Sequence, residues 1–582
     1  MNKLQPIYTE KAECQDCYKC LRECPVKAIK IENGHASVMA EFCVLCGHCV
    51  NVCPVGAKQV RNEISRTKRL IERKFGVVVS LAPSWISEFP NLSSGQLIAG
   101  IKALGFTSIS ETALGAQEVS AHAAKMMVEK EHSLLISTAC PSAVLFIKRE
   151  FPELTPYFTP LLSPLLAHAK DLKSGDNPVS AVVFIGPCIA KKDEADAYPH
   201  WVDIALTFAD LRQWWEEEGI YPETLAVEAA EHTFYPQAAQ EGRIYPVDGG
   251  MIATLEKTCP TDPQHMMSFS GLKAIREALS NINPAQLQAS GPYFLELLAC
   301  EGGCINGPQS HQSGATVIKR HAVLAEKMTD PVHFPRPEQM NIDMEISLPQ
   351  STPIEPDEQA INAALRTIGK PTRKDEVNCG ACGYDNCRDF AAALLEQRAE
   401  KTMCVTYMKK LAQNKATALM NTMPSGVVIV DEKLKLVDCN RNFAVICGEE
   451  IETIFDADPG LGGAVLPKVF PFSDLFRHAL DTGADIIEKD IKMGANYLRL
   501  SIFTVEPHRL VGAIVRDITA PAVQREMIIE KAKNVVEKHL STVQQIAYLL
   551  GENASETEIL MKSVTDSFAP QPIKTVNSRG EK

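Results

Sequence analysis

The chain of 582 residues contains no apolar run of about 18 residues, so nothing in it predicts a membrane span. Its first residues, MNKLQPIYTEK, are polar and lack the apolar stretch of a secretory signal, which predicts a cytoplasmic protein. Positive charge is also scarce. Against 72 Asp and Glu stand 59 Lys and Arg, a net charge of −13 that leaves nothing to neutralise phosphates. Nucleic acid is therefore not an expected partner, whereas a basic electron carrier is compatible with this charge. No Gly-rich ATP-binding motif follows in the last third of the chain, so it is not itself expected to be a kinase.

Cysteine, by contrast, is abundant. Nineteen are many for a reducing compartment, where disulfides are rare. Most stand two or three residues apart, too close for a disulfide framework and well suited to metal ligation. Thiolates so placed favour iron–sulfur clusters or zinc.

Length and a hydrophobic content of 45% describe several ordinary globular domains, three to five at about 150 residues each. Residues 1–62 carry eight cysteines. Residues 75–345 alternate apolar runs with helical patterns; FGVVVSLAP (75–83), HSLLIST (132–138) and SAVVFIG (180–186) read as buried strands, each followed by a helix. That alternation predicts an α/β domain with parallel strands. Residues 346–372 read as a Pro-rich linker around one short helix, 357–368. Four more cysteines fall in 373–410, residues 415–520 alternate like short antiparallel strands, 521–551 read as a charged helix, and 552–582 as a polar, disordered tail.

The run Cys14-x2-Cys17-x2-Cys20-x3-Cys24-Pro25 recurs as Cys43-x2-Cys46-x2-Cys49-x3-Cys53-Pro54. Three cysteines at this spacing wrap one cubane, and the fourth ligates the neighbouring one. Cys14, Cys17, Cys20 and Cys53 are thus assigned to one 4Fe–4S cluster, and Cys43, Cys46, Cys49 and Cys24 to a second. Zinc knuckles do not carry this doubled pattern with Pro after the fourth Cys.

Downstream, single cysteines stand in short strand-to-helix corners: Cys140 in STACPSAV, Cys188 in IGPCIAKKDEA, and Cys300 and Cys304 in LACEGGCINGPQ. Four thiolates from three corners can enclose a further cubane, with Gly302 and Gly303 letting the backbone approach it. These stretches resemble the signatures TSCCPxW, MPCxxKxxE and ExMxCxxGCxxGG of the iron-only hydrogenase large subunit. SLAPSW (80–85) and YPVDGGMIATLEK (245–257) also resemble corners of that family, and the likeness spans residues 1–345.

The resemblance implies a multidomain α/β protein whose core, 75–345, binds an H-cluster. Cys140, Cys188, Cys300 and Cys304 would hold its cubane, and Cys304 would bridge to a diiron subsite with CO, cyanide and azadithiolate ligands. Lys191 would hydrogen-bond one cyanide, and the backbone at Ala82 and Pro83 would contact the other. The departures are Ala139, where the family has a proton-relaying Cys, Gly186 and Leu298, where it has methionines, and the stretch 115–126, where Glu118 is the only acid. Alanine carries no proton, and loss of one acid–base group lowers rates about 10²–10⁴-fold, so slow turnover with retained hydrogen binding is expected. These changes resemble the sensory branch of the family. A cubane without diiron is the competing reading, and Lys191 speaks against it. Cys259 matches no motif and reads as a structural thiol.

Cys379, Cys382 and Cys387 in CGACGYDNC, with Cys404 at the end of a following helix, resemble the four-cysteine 4Fe–4S domain of corrinoid iron–sulfur proteins. Zinc remains open on spacing alone. Residues 423–448 and 513–519 resemble a PAS domain of α+β type; His478, Cys439 and Cys447 in it read as ordinary residues. In the last helix the seam Ile529, Val536, Leu540, Val543, Ala547 and Leu550 competes with a second register, so coiled coil and plain amphipathic helix both stand, and either would serve homodimerisation or docking. The functional expectation is a sensory hydrogenase acting on hydrogen and protons. It would exchange electrons with ferredoxin or another carrier and signal to a kinase or phosphatase. A slow ferredoxin-linked hydrogenase and a redox sensor without diiron are the alternatives.

Overall fold

The computed structural model describes residues 5–519, apart from 33, 130–132, 175–177, 228–232, 257–262, 281, 284–291, 312–314, 326–339 and 347–355, and also residue 563. Cys259, the helix at 521–551 and the tail at 552–582, save Ser563, lie outside the described residues. The chain divides into two compact units at Met403/Cys404.

In the first 62 residues the sequence doubling appears as two short helices, Lys19–Arg22 and His48–Val52. Strands β1 (Ile7–Thr9), β2 (Ile29–Glu32), β3 (His35–Val38) and β4 (Lys58–Val60) accompany them. β1 pairs antiparallel with β4, and β2 with β3. Alternate residues of β2, Ile29 and Ile31, turn inward, as a two-residue period requires.

The next segment is α/β with parallel strands, in two sheets rather than one. The first has the order β6 (Ser108–Glu111), β5 (Val77–Leu81), β8 (Ala181–Gly186), β9 (Ile204–Thr207). The second has the order β10 (Met266–Ser270), β11 (Tyr293–Leu298), β7 (Leu134–Ile136). All pairings are parallel. β5 and β8 are buried along their whole length, which is why VVVSL and AVVFIG read as unbroken apolar runs. Because the strands are parallel, the corners leaving their carboxyl ends collect at one edge, where ligands of open α/β sheets bind. Ala82 follows β5, Cys140 lies past β7, Cys188 past β8 and Cys300 past β11.

The core tolerates a polar knot. His168, fully buried, bonds Ser80 Oγ through Nδ1 and Ser110 Oγ through Nε2, both at 2.8 Å, and Ser80 bonds Thr112 Oγ1 at 2.7 Å. Its helix, Pro164–Ser174, crosses helix Ala113–Glu129 at Gly115, where a Cβ would lie 2.2 Å from Pro164 O.

Two expectations need correction. Within the stretch expected to be linker, helix Glu358–Thr367 packs on helix Cys387–Leu395, burying Ala364, Leu365 and Ile368. It belongs to the four-cysteine region. Cys404 does not end the helix begun at Cys387. That helix stops at Leu395, Gln397 takes a left-handed φ of 59°, and Cys404 caps a new helix, Val405–Thr422. The latter also runs across the boundary expected near 415.

The second unit is α+β. Its antiparallel sheet has the order β13 (Leu436–Cys439), β12 (Gly426–Asp431), β16 (Leu510–Asp517), β15 (Asn496–Glu506), β14 (Ile486–Met493). Asn440 caps helix Arg441–Cys447 by accepting from Phe443 N. Phe443, Phe470 and Phe476 fill the space between sheet and helices. Among the described residues no helix is long and apolar enough to cross a membrane.

Burial pushes the His168 imidazole down from 6.5 to about 3, so it stays neutral in the fold. Its contribution to stability is full above pH 6.5, where the unfolded imidazole is also neutral, and is lost as pH falls from 6.5 towards 3. Denaturant titrations should show a loss of up to about 1.4 kcal/mol per pH unit from this group. His168→Gln should be less stable at pH 7 but show a shallower slope between pH 6.5 and 5.

Candidate metal centre

Cys140, Cys188, Cys300 and Cys304 line one cavity. Cys140 is the residue before helix Pro141–Glu150, whose first position holds the Pro favoured there. Cys188 sits between β8 and helix Ala190–Ala197. Cys300 O accepts from Gly303 N at 3.1 Å, closing the turn that presents Cys304. The rest of the lining is almost wholly apolar, with Leu45, Pro187, Leu298 and Pro308 prominent. Cys46 of the first 62 residues reaches the same cavity.

Burial pushes the Cys188 thiol up to about 11, and the neighbouring Cys140 adds to the shift. Cys300 and Cys304 are driven upward by burial and then by the other thiols of the group. Crowded thiols in an apolar cavity ionise only when a cation shares it. The donor set therefore fits an iron–sulfur group. Beside Pro83, Ser84 Oγ and Trp85 Nε1 are buried with no hydrogen-bond partner among the described residues.

Gly303, at φ 99°, allows a contact other than the one expected of it. A Cβ there would lie 2.3 Å from Pro246 O, so this glycine fits the turn against protein backbone. Gly307 packs on Pro187, joining two of the cysteine corners, and Gly47 packs on Pro308 and Ile189, seating the Cys46 loop on the core.

Lys191 is buried, and its Nζ donates to Ser163 Oγ at 3.0 Å and pairs with Glu194 at 2.6 Å. The ammonium is close enough to favour the thiolate forms of Cys188 and Cys304. Of the residues predicted to touch the cofactor, Leu298 lines the cavity. Ala82 and Gly186 do not line it, and a Cβ on Gly186 would fall 2.7 Å from that of Ala82 and 2.4 Å from the Phe184 ring, which leaves no room for methionine. Pro83 and Ala139 are half-buried. Ala139 N donates to Ser137 Oγ at 3.3 Å, and the Ser137 hydroxyl points on to Met251 Sδ. Glu118 accepts from Met340 N at 3.0 Å.

Sequence reasoning gave no role to Glu194, although the signature MPCxxKxxE has a Glu at that position, and none to Ser163. The i,i+3 spacing of Lys191 and Glu194 was a legible signal for the first, and none pointed to the second. It also passed over Glu296, buried beside the site, which accepts from Met251 N and Ile252 N at 3.2 Å each. Burial, foremost, pushes its carboxyl up to about 8.

Among the eight ferredoxin-type cysteines, Cys20 and Cys49 each have other thiols close by. Burial lifts Cys20 to about 11, and the thiols acting on it are Cys17, Cys14 and Cys53; burial lifts Cys49, on which Cys46, Cys43 and Cys24 act. In the third region Cys379 is exposed, Cys382 half-buried and Cys387 buried, on a loop turned by Gly380 and Gly383 at φ 70° and 87°. A Cβ on Gly383 would meet Leu21 at 2.5 Å, and the Arg398 guanidinium lies 5.3 Å over the Phe42 ring, so this loop sits on the ferredoxin-like region. Cys404 opens the second unit. In that unit Cys439 is buried, with Sγ donating to Gly460 O at 3.4 Å, Cys447 is half-buried and His478 is exposed.

Parts of the chain are similar to known proteins. Residues 76–308 match the family of the iron only hydrogenase large subunit, C-terminal domain. Residues 6–54 match the 4Fe-4S dicluster domain and residues 375–406 a putative Fe-S cluster family. The periplasmic [Fe] hydrogenase large subunit of Nitratidesulfovibrio vulgaris is 23% identical over 366 residues, covering 53% of this chain and 86% of that one. A variant of an [FeFe]-hydrogenase from Chlamydomonas reinhardtii aligns at 18% identity and TM-score 0.35, over 45% of this chain and 88% of that one. The PAS domain of an HTR-like protein from Haloarcula marismortui aligns at 17% identity and TM-score 0.14, over 19% of this chain and 96% of that one. The chain thus carries a region similar to the iron only hydrogenase large subunit, C-terminal domain, flanked by regions similar to iron–sulfur domains.

Lys191→Met should leave Glu194 as a buried, unpaired carboxylate and destabilise the fold by about 3–5 kcal/mol. The double variant Lys191→Met, Glu194→Gln should recover part of that loss in chemical denaturation.

Proposed function

We propose that the protein is a sensory iron-only hydrogenase that binds hydrogen, turns it over slowly, and reports hydrogen or redox state through its C-terminal unit. The observation that carries this reading is a complete thiol site with an alanine, Ala139, beside its first cysteine. Cys140, Cys188, Cys300 and Cys304 would hold the group, which when bound supplies reversible cleavage of hydrogen into protons and electrons. Lys191, paired to Glu194, offers the third of its N–H donors. Ala139 can neither accept nor release a proton, so the last relay step has no side chain to perform it.

Electrons would leave through Cys46, which borders the same cavity, to the two ferredoxin clusters and on to a soluble carrier. The region of Cys379, Cys382, Cys387 and Cys404 would hold a further 4Fe–4S cluster. Its loop rests on helix Lys19–Arg22, which carries Cys20. The sheet order of that unit, with the two-strand-then-helix opening at 426–447, supports a PAS reading. A downstream kinase or phosphatase would receive the signal.

Infrared spectra of the matured protein should show CO and cyanide bands that shift under hydrogen. Absence of those bands with full iron content would leave a redox sensor without diiron. Ala139→Cys should raise hydrogen evolution by about 10²–10⁴-fold. Turnover by the unaltered protein at the rate of that variant would contradict the slow-turnover reading.

A further inference from the structure

The ferredoxin doubling extends beyond its cysteines. CPVKAI (24–29) and CPVGAK (53–58) place Ile29 and Lys58 at equivalent points. Ile29 is 3% exposed, as a core isoleucine should be, and Lys58 is 2% exposed. One half of the repeat therefore buries an ammonium where the other buries a hydrocarbon.

The surroundings of Lys58 are satisfied but neutral. Nζ donates to Ala36 O at 2.8 Å and to Thr9 Oγ1, and the Thr9 hydroxyl donates to Ala36 O at 2.5 Å. Among the described residues no carboxylate pairs with it. A buried ammonium without a counter-charge is strongly unfavourable, so negative charge must face it. As ligands of the two assigned clusters the thiols would be thiolates and would supply that charge. Helix His48–Val52, which carries Cys49, packs on the strand of Lys58, and the ammonium favours the thiolate of Cys20 in one set as well as that of Cys49 in the other.

We infer that Lys58 is a buried cation shared by the two ferredoxin clusters, placed to hold their reduction potentials above what their thiolate ligands alone would set. The inference rests on the two-cluster assignment of residues 6–54. Reduction adds one electron to a cluster whose ligands are already anionic, and forms and breaks no bond. A fixed positive charge at short range in a low-dielectric interior stabilises the more negative, reduced form more than the oxidised one. The electron comes from the soluble carrier or from the hydrogen site. Thr9 and Ala36 act by fixing the position of the ammonium.

The test is an EPR-monitored redox titration of the full-length, iron-reconstituted protein, comparing the unaltered chain with Lys58→Met, Lys58→Gln and Lys58→Arg. Methionine restores the apolar character that Ile29 has in the other repeat, glutamine keeps a hydrogen bond without charge, and arginine keeps the charge. The two neutral variants should retain full iron and show ferredoxin signals with midpoints shifted to more negative potential, while Lys58→Arg stays near the unaltered value. Unchanged or more positive midpoints in an iron-replete neutral variant would overturn the inference. Should Lys58→Met fail to fold, Lys58→Gln decides alone. If the unaltered chain shows no ferredoxin signals, the two-cluster assignment itself is wrong, an outcome distinct from unmoved potentials.

Discussion

Four thiols in one apolar cavity repel one another once ionised, and this constraint organises the rest of the protein. Burial alone keeps Cys188, Cys300 and Cys304 from losing their protons. Only a cation among them turns that cost into a bond, because metal binding and thiol deprotonation are one coupled event. The surrounding protein then has a simple task. It must bring distant segments to a common point, keep water out, and let charge enter and leave.

Parallel strands accomplish the first. The corners that carry Cys140, Cys188 and Cys300 follow buried strands at their carboxyl ends, and Gly307 lets two of these corners close on one another. Cys46 would serve the last, since it shares the cavity while belonging to the ferredoxin-type repeat. Some buried charges are handled by pairing: Lys191 with Glu194, Lys192 with Asp210, Arg243 with Glu111. Lys58, like the buried Lys319 and Lys370, donates only to neutral acceptors among the described residues, and its answering charge would lie on the thiolates of the clusters assigned beside it.

Much of this was legible in the sequence. Cysteine spacing separates the two ferredoxin sets because three ligands on one tight loop cannot be arranged otherwise, and β-branched runs such as VVVSL mark strands buried on both faces. What was not legible depends on tertiary contact. Leu-Leu-Glu-Gln-Arg favours helix at every position, yet the helix of Cys387 ends at Leu395, where Gln397 adopts a left-handed turn. Prolines on either side made 346–372 read as a linker, although Leu365 and Ile368 bury themselves on the four-cysteine helix. That Cys46 would meet the core cysteines is written in no spacing, because it depends on Gly47 fitting against Pro308. Lysine reads as a surface residue, and only the alignment of the two halves reveals Lys58 at a core position.

The most direct measurement is anomalous diffraction at the iron edge from crystals of the matured, full-length protein. The account predicts iron among the sulfurs of Cys140, Cys188, Cys300 and Cys304, with two further iron atoms adjoining Cys304 on the side of Lys191. Iron confined to the ferredoxin-type and four-cysteine regions, with these four sulfurs bearing protons or zinc, would contradict it.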